Sequence, residues 1–306
     1  MHTLRSRLTL LCIPVALVAM ASCSTTSSAQ QGPSSTLGLS SLPSSTGTTL
    51  PGTTASTTSS DSSPLTTDAP TTDAPTTTLP APTTTLAPNV RIVGASAVPI
   101  LAVGGSSGPD TATVQARLNQ LGFWTQAATG HYDFSTTQAV MAFQKYIGLP
   151  RNGRVDATTA AYLQNFTEHA HGASDSGTLI EVDKGHQLLF AIVDGQTLWA
   201  FNTSTGSGIA YSAKNKNDPT KIETGDAVTP DGLFKVYRQH PDGWWDGDLG
   251  KIYRPKYFRG GVAIHGMTSI PSYPASHGCV RLSTMAMDFI WDQNLIPMGT
   301  PVWVHE

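Results

Sequence analysis

The spacing of apolar residues changes repeatedly along this chain, and each change predicts a different kind of structure. An apolar run from Leu8 to Met20 follows Arg5 and Arg7. It is shorter than the roughly 20 residues that span a bilayer and reads as an export signal over residues 1–23. From Ser24 to about Pro88 apolar side chains become rare among Ser, Thr, Pro and Gly, with near-repeats such as Thr66-Thr67-Asp68-Ala69-Pro70 and Thr71-Thr72-Asp73-Ala74-Pro75. Too little apolar surface is present there to offset the entropy of ordering the backbone, so a disordered or partly polyproline-like tether is expected. A random coil of roughly 65 residues spans about 45 Å. Between Asn89 and Gly108 apolar patches return at Val93 and Val98 to Val103. This stretch reads as a short strand or an extended lead-in, and the linker is drawn over 24–106.

Helical spacing begins at Pro109. Val114, Leu118 and Leu121 fall on one face, Asp110 is placed to cap, and Gly122 offers a left-handed stop. A second helix carries Val140, Phe143 and Ile147 as its apolar stripe, with Ser135 and Gln138 at capping-box spacing and Gly148 at its end. A third follows Asp156, with Ala160 and Leu163 inward. Three short helices over residues 107–167 predict a small bundle.

After a polar bridge at His169 to Ser176 the pattern becomes short apolar runs and alternation. Leu179 to Val182, Gln187 to Val193 and Leu198 to Phe201 read as strands, and Asp194-Gly195 is a hairpin-turn dipeptide joining the last two. Gly232 to Tyr237, Gly261 to His265 and Pro301 to His305 are further strands, and Ser283 to Asn294 is one substantial helix. Residues 177–306 are therefore expected to form a mainly-β domain of β-sandwich type.

Charge narrows the function. With 18 Lys and Arg against 21 Asp and Glu, and charged residues at 13%, the chain lacks the basic field that attracts phosphate backbones, so nucleic acid is not an expected partner. Of the three cysteines, Cys12 lies in the signal and Cys23 closes Met20-Ala21-Ser22-Cys23, which resembles a bacterial lipobox with Met in the usual Leu place. Ala19-Met20-Ala21 offers an ordinary cleavage site instead. The lipobox reading makes Cys23 the lipidated residue and the membrane a partner. Cys279 is then alone in the folded part, without an intramolecular disulfide partner.

The neighbours of Cys279 favour chemistry over burial. Ala263-Ile264-His265-Gly266 and Ser276-His277-Gly278-Cys279-Val280-Arg281-Leu282 concentrate two histidines and the thiol into a short stretch. A thiol with an ordinary pKa near 8.5 is only a few per cent ionised at neutral pH and needs a base, which His265 can supply. In its strand Val262 and Ile264 share one face and His265 takes the other. The second ring nitrogen of His265 needs an acceptor, for which the Gly266 carbonyl is a candidate. Gly278 permits a tight turn, and amides at Gly278, Cys279 or Val280 can form an oxyanion hole. Arg281 can hold a substrate carboxylate or brace the loop through backbone carbonyls.

Two resemblances follow. Val114 to Leu118, Leu121-Gly122-Phe123, Gly130 to Asp133, Ala139 to Gln144 and Gly153 to Asp156 resemble peptidoglycan-binding type-1 domains over Ser107 to Phe166. The Cys279 segment, with Thr229 to Val236 and Gly299 to Val302, resembles the L,D-transpeptidase (YkuD-type) catalytic family over Thr178 to Val304. The second resemblance implies Cys279 as nucleophile, His265 as base, and a pocket shaped by His277, Gly278, Val280 and Gly266, with no cofactor. It further implies that a donor stem peptide acylates the thiol with loss of D-Ala, that an acceptor amine resolves the thioester into a 3-3 cross-link, and that carbapenems acylate the same thiol. The loop from His265 to Ser276 is shorter than in many members, and Gly266 stands where some have Ser. The implied location is the cell envelope, on the outer face of the cytoplasmic membrane.

Other readings remain at this stage. A zinc site from His265, His277 and Cys279 lacks the paired spacing and fourth ligand of structural zinc. An L,D-carboxypeptidase or hydrolase would give the same acyl-enzyme to water, depending on loops such as Pro241 to Arg259, whose Trp244, Trp245, Tyr253 and Tyr257 cover substrate or simply pack. A non-catalytic wall-binding lipoprotein is the third.

Overall fold

The computed structural model describes residues 86–306. Cys12, Cys23 and the Ser/Thr/Pro-rich tract up to residue 85 lie outside the described residues. Four helices, α1 (Pro109–Gln120), α2 (Phe134–Tyr146), α3 (Ala157–Asn165) and α4 (Thr284–Asp292), accompany twelve strands. The first three helices end and begin for local reasons. Gly122 follows α1 with φ +83, and Asp156 caps α3 by accepting from Thr159 N at 2.7 Å. Two capping expectations are corrected. Gly108 is the N-cap of α1, because Pro109 takes the first helical position, where its missing N–H costs nothing, leaving Asp110 inside the first turn. Asp133, two residues before Ser135, caps α2 by accepting from Thr136 N at 2.8 Å. Gln138 instead accepts from Asn202 Nδ2 at 2.6 Å.

Strands β1 (Leu179–Asp183), β2 (Leu188–Val193) and β3 (Gln196–Asn202) form the antiparallel meander that the apolar runs predict. Asp194 and Gly195, at φ +50 and +76, make the turn between β2 and β3. β12 (Pro301–His305) lies parallel to β1, and β6 (Gly232–Lys235) closes the sheet in the order β3-β2-β1-β12-β6. The second sheet has the order β11-β10-β9-β7, from β11 (Val280–Ser283), β10 (Val262–Met267), β9 (Gly250–Arg259) and β7 (Arg238–Gln239), and β8 (Trp244–Gly247) pairs with β9. The stretch Pro241 to Arg259 is thus largely a hairpin, not a loop. β4 (Ala210–Lys214) and β5 (Ile222–Asp226) form a separate hairpin.

One core joins the sheets. Ile180, Leu189 and Val302 from the first meet Phe258, Ile264, Val280 and Leu282 from the second, with Met287 and Ile290 of α4. The other face of β2 belongs to a second core. Leu188, Phe190 and Ile192 pack with Val114, Leu118, Phe123, Val140, Phe143 and Leu163 of the helical segment. Burial of both faces explains why β2 reads as an unbroken apolar run rather than an alternation. The helices therefore share their core with the sheet instead of closing a bundle alone, as too few apolar residues lie on three short helices to cover one another. Residues 122–124 also add to the free edge of β3, with Ala200 N donating to Gly122 O at 2.8 Å and Trp124 N to Ala200 O at 3.2 Å.

The lead-in is part of this packed body. Ile100 is buried in the helical core, Val93 and Val103 pack on it, and Asn89 donates to Gly172 O at 2.9 Å. The stretch 86–106, assigned to the linker from its sequence, is fixed by contacts with residues far along the chain.

Candidate active site

Three devices hold the segment before β11. Ser276 Oγ donates to Cys279 O at 2.6 Å and accepts from Gly278 N at 3.0 Å, folding the turn onto itself. Thr229 Oγ1 donates to Gly278 O at 2.7 Å. Gly278 has φ +127, and a Cβ there would sit 2.9 Å from Val228 O, so only glycine fits this close approach. The loop ahead of it is stitched to residues 204–207: Ser204 Oγ donates to Tyr273 O at 2.8 Å and Ser276 N to Thr205 O at 2.9 Å.

β10 and β11 run parallel, with Ile264 facing Val280 and His265 facing Arg281. The register continued by one residue puts Cys279 beside Ala263. Ile264 and Val280 turn into the core, so alternation sends Ala263, His265, Cys279 and Arg281 to the opposite side. Cys279 and His265 are thereby diagonal neighbours on one face of a paired strand, about 7–8 Å apart at Cα for such a relation.

The electrostatics are those of a neutral pair. His265 is buried, and its Nδ1 lies 3.0 Å from Gly266 O, the acceptor suggested by the sequence. That bond fixes the proton on Nδ1 and leaves Nε2 as the basic atom. Burial, with a smaller contribution from the Arg281 charge, brings the imidazole down to about 4, against the opposing pull of the Gly266 bond. Burial pushes the Cys279 thiol up, partly offset by a backbone bond from Ala263 and by Arg281. At neutral pH the resting groups are thiol and imidazole.

The remaining predicted residues separate. His277 is exposed and lies edge-on to Tyr211 of β4, ring centroids 4.8 Å apart. Gly266 packs where a Cβ would meet Tyr253 and Thr284 Cα at 3.0 Å, so it serves the junction with α4 rather than a pocket rim. Two oxyanion-hole expectations are corrected. The Gly278 amide is taken by Ser276 Oγ. Arg281 N donates to Ser204 O, away from β10, so by alternation the Val280 amide turns into the β10 ladder and the Cys279 amide turns outward. The Arg281 guanidinium braces no carbonyl: its Nε is buried without a partner among the described residues, and burial lowers its pKa. Among the described residues no group of three His, Cys, Asp or Glu gathers at metal-binding distance.

Sequence reasoning missed Thr229, which holds the turn from 49 residues away, and Arg238. From the sequence Tyr257 is expected to cover substrate or simply pack, within a loop that is in fact a hairpin. Tyr257 faces Ala263 on β9, with the Arg238 guanidinium carbon 3.8 Å from its ring centroid. No local pattern marks these positions: a single hydrogen bond ties Thr229 to the Cys279 turn, and the strand register puts Tyr257 and Arg238 in the same row.

Comparison with known proteins agrees with this architecture. Residues 177–304 match the L,D-transpeptidase catalytic domain family YkuD, and residues 107–163 match a putative peptidoglycan binding domain family. The crystal structure of the L,D-transpeptidase from Xylanimonas cellulosilytica DSM 15894 is 44% identical, with TM-score 0.59, covering 66% of this chain and 96% of that one. Two curated relatives match shorter stretches. An N-acetylmuramoyl-L-alanine amidase of Mycobacterium tuberculosis is 37% identical over 67 residues, 22% of this chain and 16% of that protein. A spore cortex-lytic enzyme of Bacillus cereus is 34% identical over 74 residues, 24% of this chain and 29% of that protein. The chain thus spans less than a third of the length of either curated relative.

Proposed function

Since the chain belongs to the L,D-transpeptidase family, we propose that it forms 3-3 cross-links between peptidoglycan stem peptides through a thioester on Cys279. The observation that carries this reading is the placement of Cys279 and His265 on one face of paired parallel strands, with the imidazole held neutral and oriented by Gly266 O. Cys279 Sγ attacks the carbonyl preceding the terminal D-Ala as its proton passes to His265 Nε2. The C–N bond then breaks and the imidazolium proton leaves with the D-Ala amine. In the second half the side-chain amine of an acceptor stem attacks the thioester, the C–S bond breaks, and the thiolate regains a proton. Because both resting groups are neutral, proton transfer accompanies attack. The outward Cys279 amide is the candidate donor to the developing oxyanion.

Arg281 fits the carboxylate role better than the bracing role, since a buried guanidinium nitrogen without a partner is costly unless a ligand supplies one. The segment 107–163 would contribute wall binding. The same reading puts the chain in the cell envelope, with Cys23 as the lipid-bearing residue.

Intact mass of the full chain after incubation with a disaccharide tetrapeptide, beside Cys279→Ala, tests the reading. The expected result is an adduct lacking D-Ala on the native protein only, followed by a 3-3 dimer. Free tripeptide without dimer would instead make the protein a carboxypeptidase, and no adduct with a stem batch active on another transpeptidase would overturn the assignment.

A further inference from the structure

A row of facing residues crosses the second sheet through the nucleophile. Arg238 of β7 faces Tyr257 of β9, Tyr257 faces Ala263 of β10, and Ala263 stands beside Cys279. Facing residues of neighbouring strands project to the same side, so Arg238, Tyr257 and Cys279 share the side turned away from the core. The ring of Tyr257 is buried while Arg238 is exposed above it, its guanidinium carbon 3.8 Å from the ring centroid. Burial pushes the Tyr257 hydroxyl up, Arg238 draws it back, and Cys279 pushes it up again, so Tyr257 lies within electrostatic reach of both.

The ion pairs among the described residues join Lys184, Lys221, Lys251, Arg254 and three histidines to carboxylates, and none includes Arg238. A guanidinium lying over the face of a buried ring is held there by the ring while its N–H groups can turn to a ligand, an arrangement that suits a planar carboxylate. Strands lie about 4.8 Å apart, so the tip of Arg238, leaning over Tyr257, stands about two strand spacings, or roughly 10 Å, from Cys279. An extended peptide rises about 3.3 Å per residue. A carboxylate one or two residues before the attacked carbonyl falls within reach of such a side chain.

We propose that Arg238 is a specificity-determining residue that binds a free carboxylate on the donor-stem residue preceding the attacked one, across the strand row from Cys279. The proposal rests on the stem-peptide reading above. It makes Arg238 a sensor of amidation: conversion of that carboxylate to an amide removes the charge the guanidinium recognises. Binding is affected more than chemistry, because the contact is made equally before and during attack.

The test measures D-Ala release by the full chain from two tetrapeptide stems, one with the free carboxylate and one amidated at that residue. It uses the native protein, Arg238→Ala and Arg238→Lys. A charge-assisted contact of this kind corresponds to roughly a tenfold preference in KM for the free acid. In Arg238→Ala that preference is expected to collapse toward one, with KM for the free acid rising about tenfold and kcat changing by less than about threefold. Arg238→Lys should restore part of the preference. Equal loss on both stems, or loss confined to kcat, would show a packing role on Tyr257 and overturn the proposal. So would a preference that survives in Arg238→Ala. If the native protein releases D-Ala from neither stem, the transpeptidase reading fails first and takes this one with it.

Discussion

Buried polar groups are treated differently in the helical segment and beside Cys279. In the helical segment they are fully engaged. Arg117, 2% exposed, donates through Nε to Leu163 O at 2.9 Å and through its terminal nitrogens to Gln120 Oε1 at 2.6 Å, Gly94 O at 2.8 Å and Phe166 O at 2.5 Å. Gln144 Nε2 donates to Arg154 O at 2.9 Å and its Oε1 accepts from Gly153 N at 2.9 Å. Lys145 Nζ spans to Gln187 O at 3.1 Å and Thr203 O at 2.9 Å, tying α2 to the ends of β2 and β3. Beside Cys279, Arg281 leaves Nε unpaired and His265 spends one ring nitrogen on a backbone carbonyl. A satisfied buried group is scaffold, and its loss costs stability. An unsatisfied one has no bond to contribute to stability, so on the reading proposed above its loss costs activity instead.

The sharpest way to break this contrast is Cys279→Ala. Turnover should fall by about four orders of magnitude or more, while calorimetry shows the melting temperature within about 2 °C of the parent. A large drop in melting temperature would make the thiol a structural group after all. Next comes Arg117→Ala, which strands three carbonyls and opens a gap. Urea unfolding should report a loss of about 3–5 kcal/mol, with the specific activity of the folded fraction retained.

His265 offers a test through pH. Its folded pKa, about 4, lies below the unfolded value near 6.5, so between those limits the unfolded chain binds the extra proton. Stability from this group is intact above about 6.5 and is lost as the pH falls toward 4, by at most about 3 kcal/mol. The difference between the native protein and His265→Gln, unfolded in urea at pH 7 and pH 4.5, isolates that slope from the carboxylates. A parallel pH response in both would assign the slope elsewhere. The smallest effect belongs to Arg281→Gln, whose stability should stay within about 0.5 kcal/mol of the parent because its Nε has no bond to lose. A cost comparable to that of Arg117→Ala would erase the distinction between the two regions.

The sequence made much of this visible because the relevant forces are local. Capping by Asp156, the stop at Gly122, the Asp194-Gly195 turn and the apolar run of β2 each depend on residues a few positions apart. The Cys279 segment was legible for the same reason, since the turn from Ser276 to Cys279 is closed by its own Ser276 side chain. What escaped depends on distance along the chain. β4 and β5 bury no residue fully, their best-covered positions being only half-buried, so no apolar stripe marks them. The 86–106 stretch is ordered by Gly172, Gln164 and Thr167, none of which its own composition announces. Arg238 and Thr229 join the site through sheet register and a single hydrogen bond, neither of which leaves a motif.

The position of β12 sets a timetable for the molecule. It fills the gap between β1 and β6, yet it is the last strand in chain order. Until residues 301–305 have been made, β1 presents an open edge, β6 has no partner in the sheet, and the shared core lacks Val302 and Val304. Such a sheet cannot be completed from the leading end. A chain made from its leading end would keep its β region pliable until residues 301–305 arrive, and their pairing with β1 and β6 would then lock it.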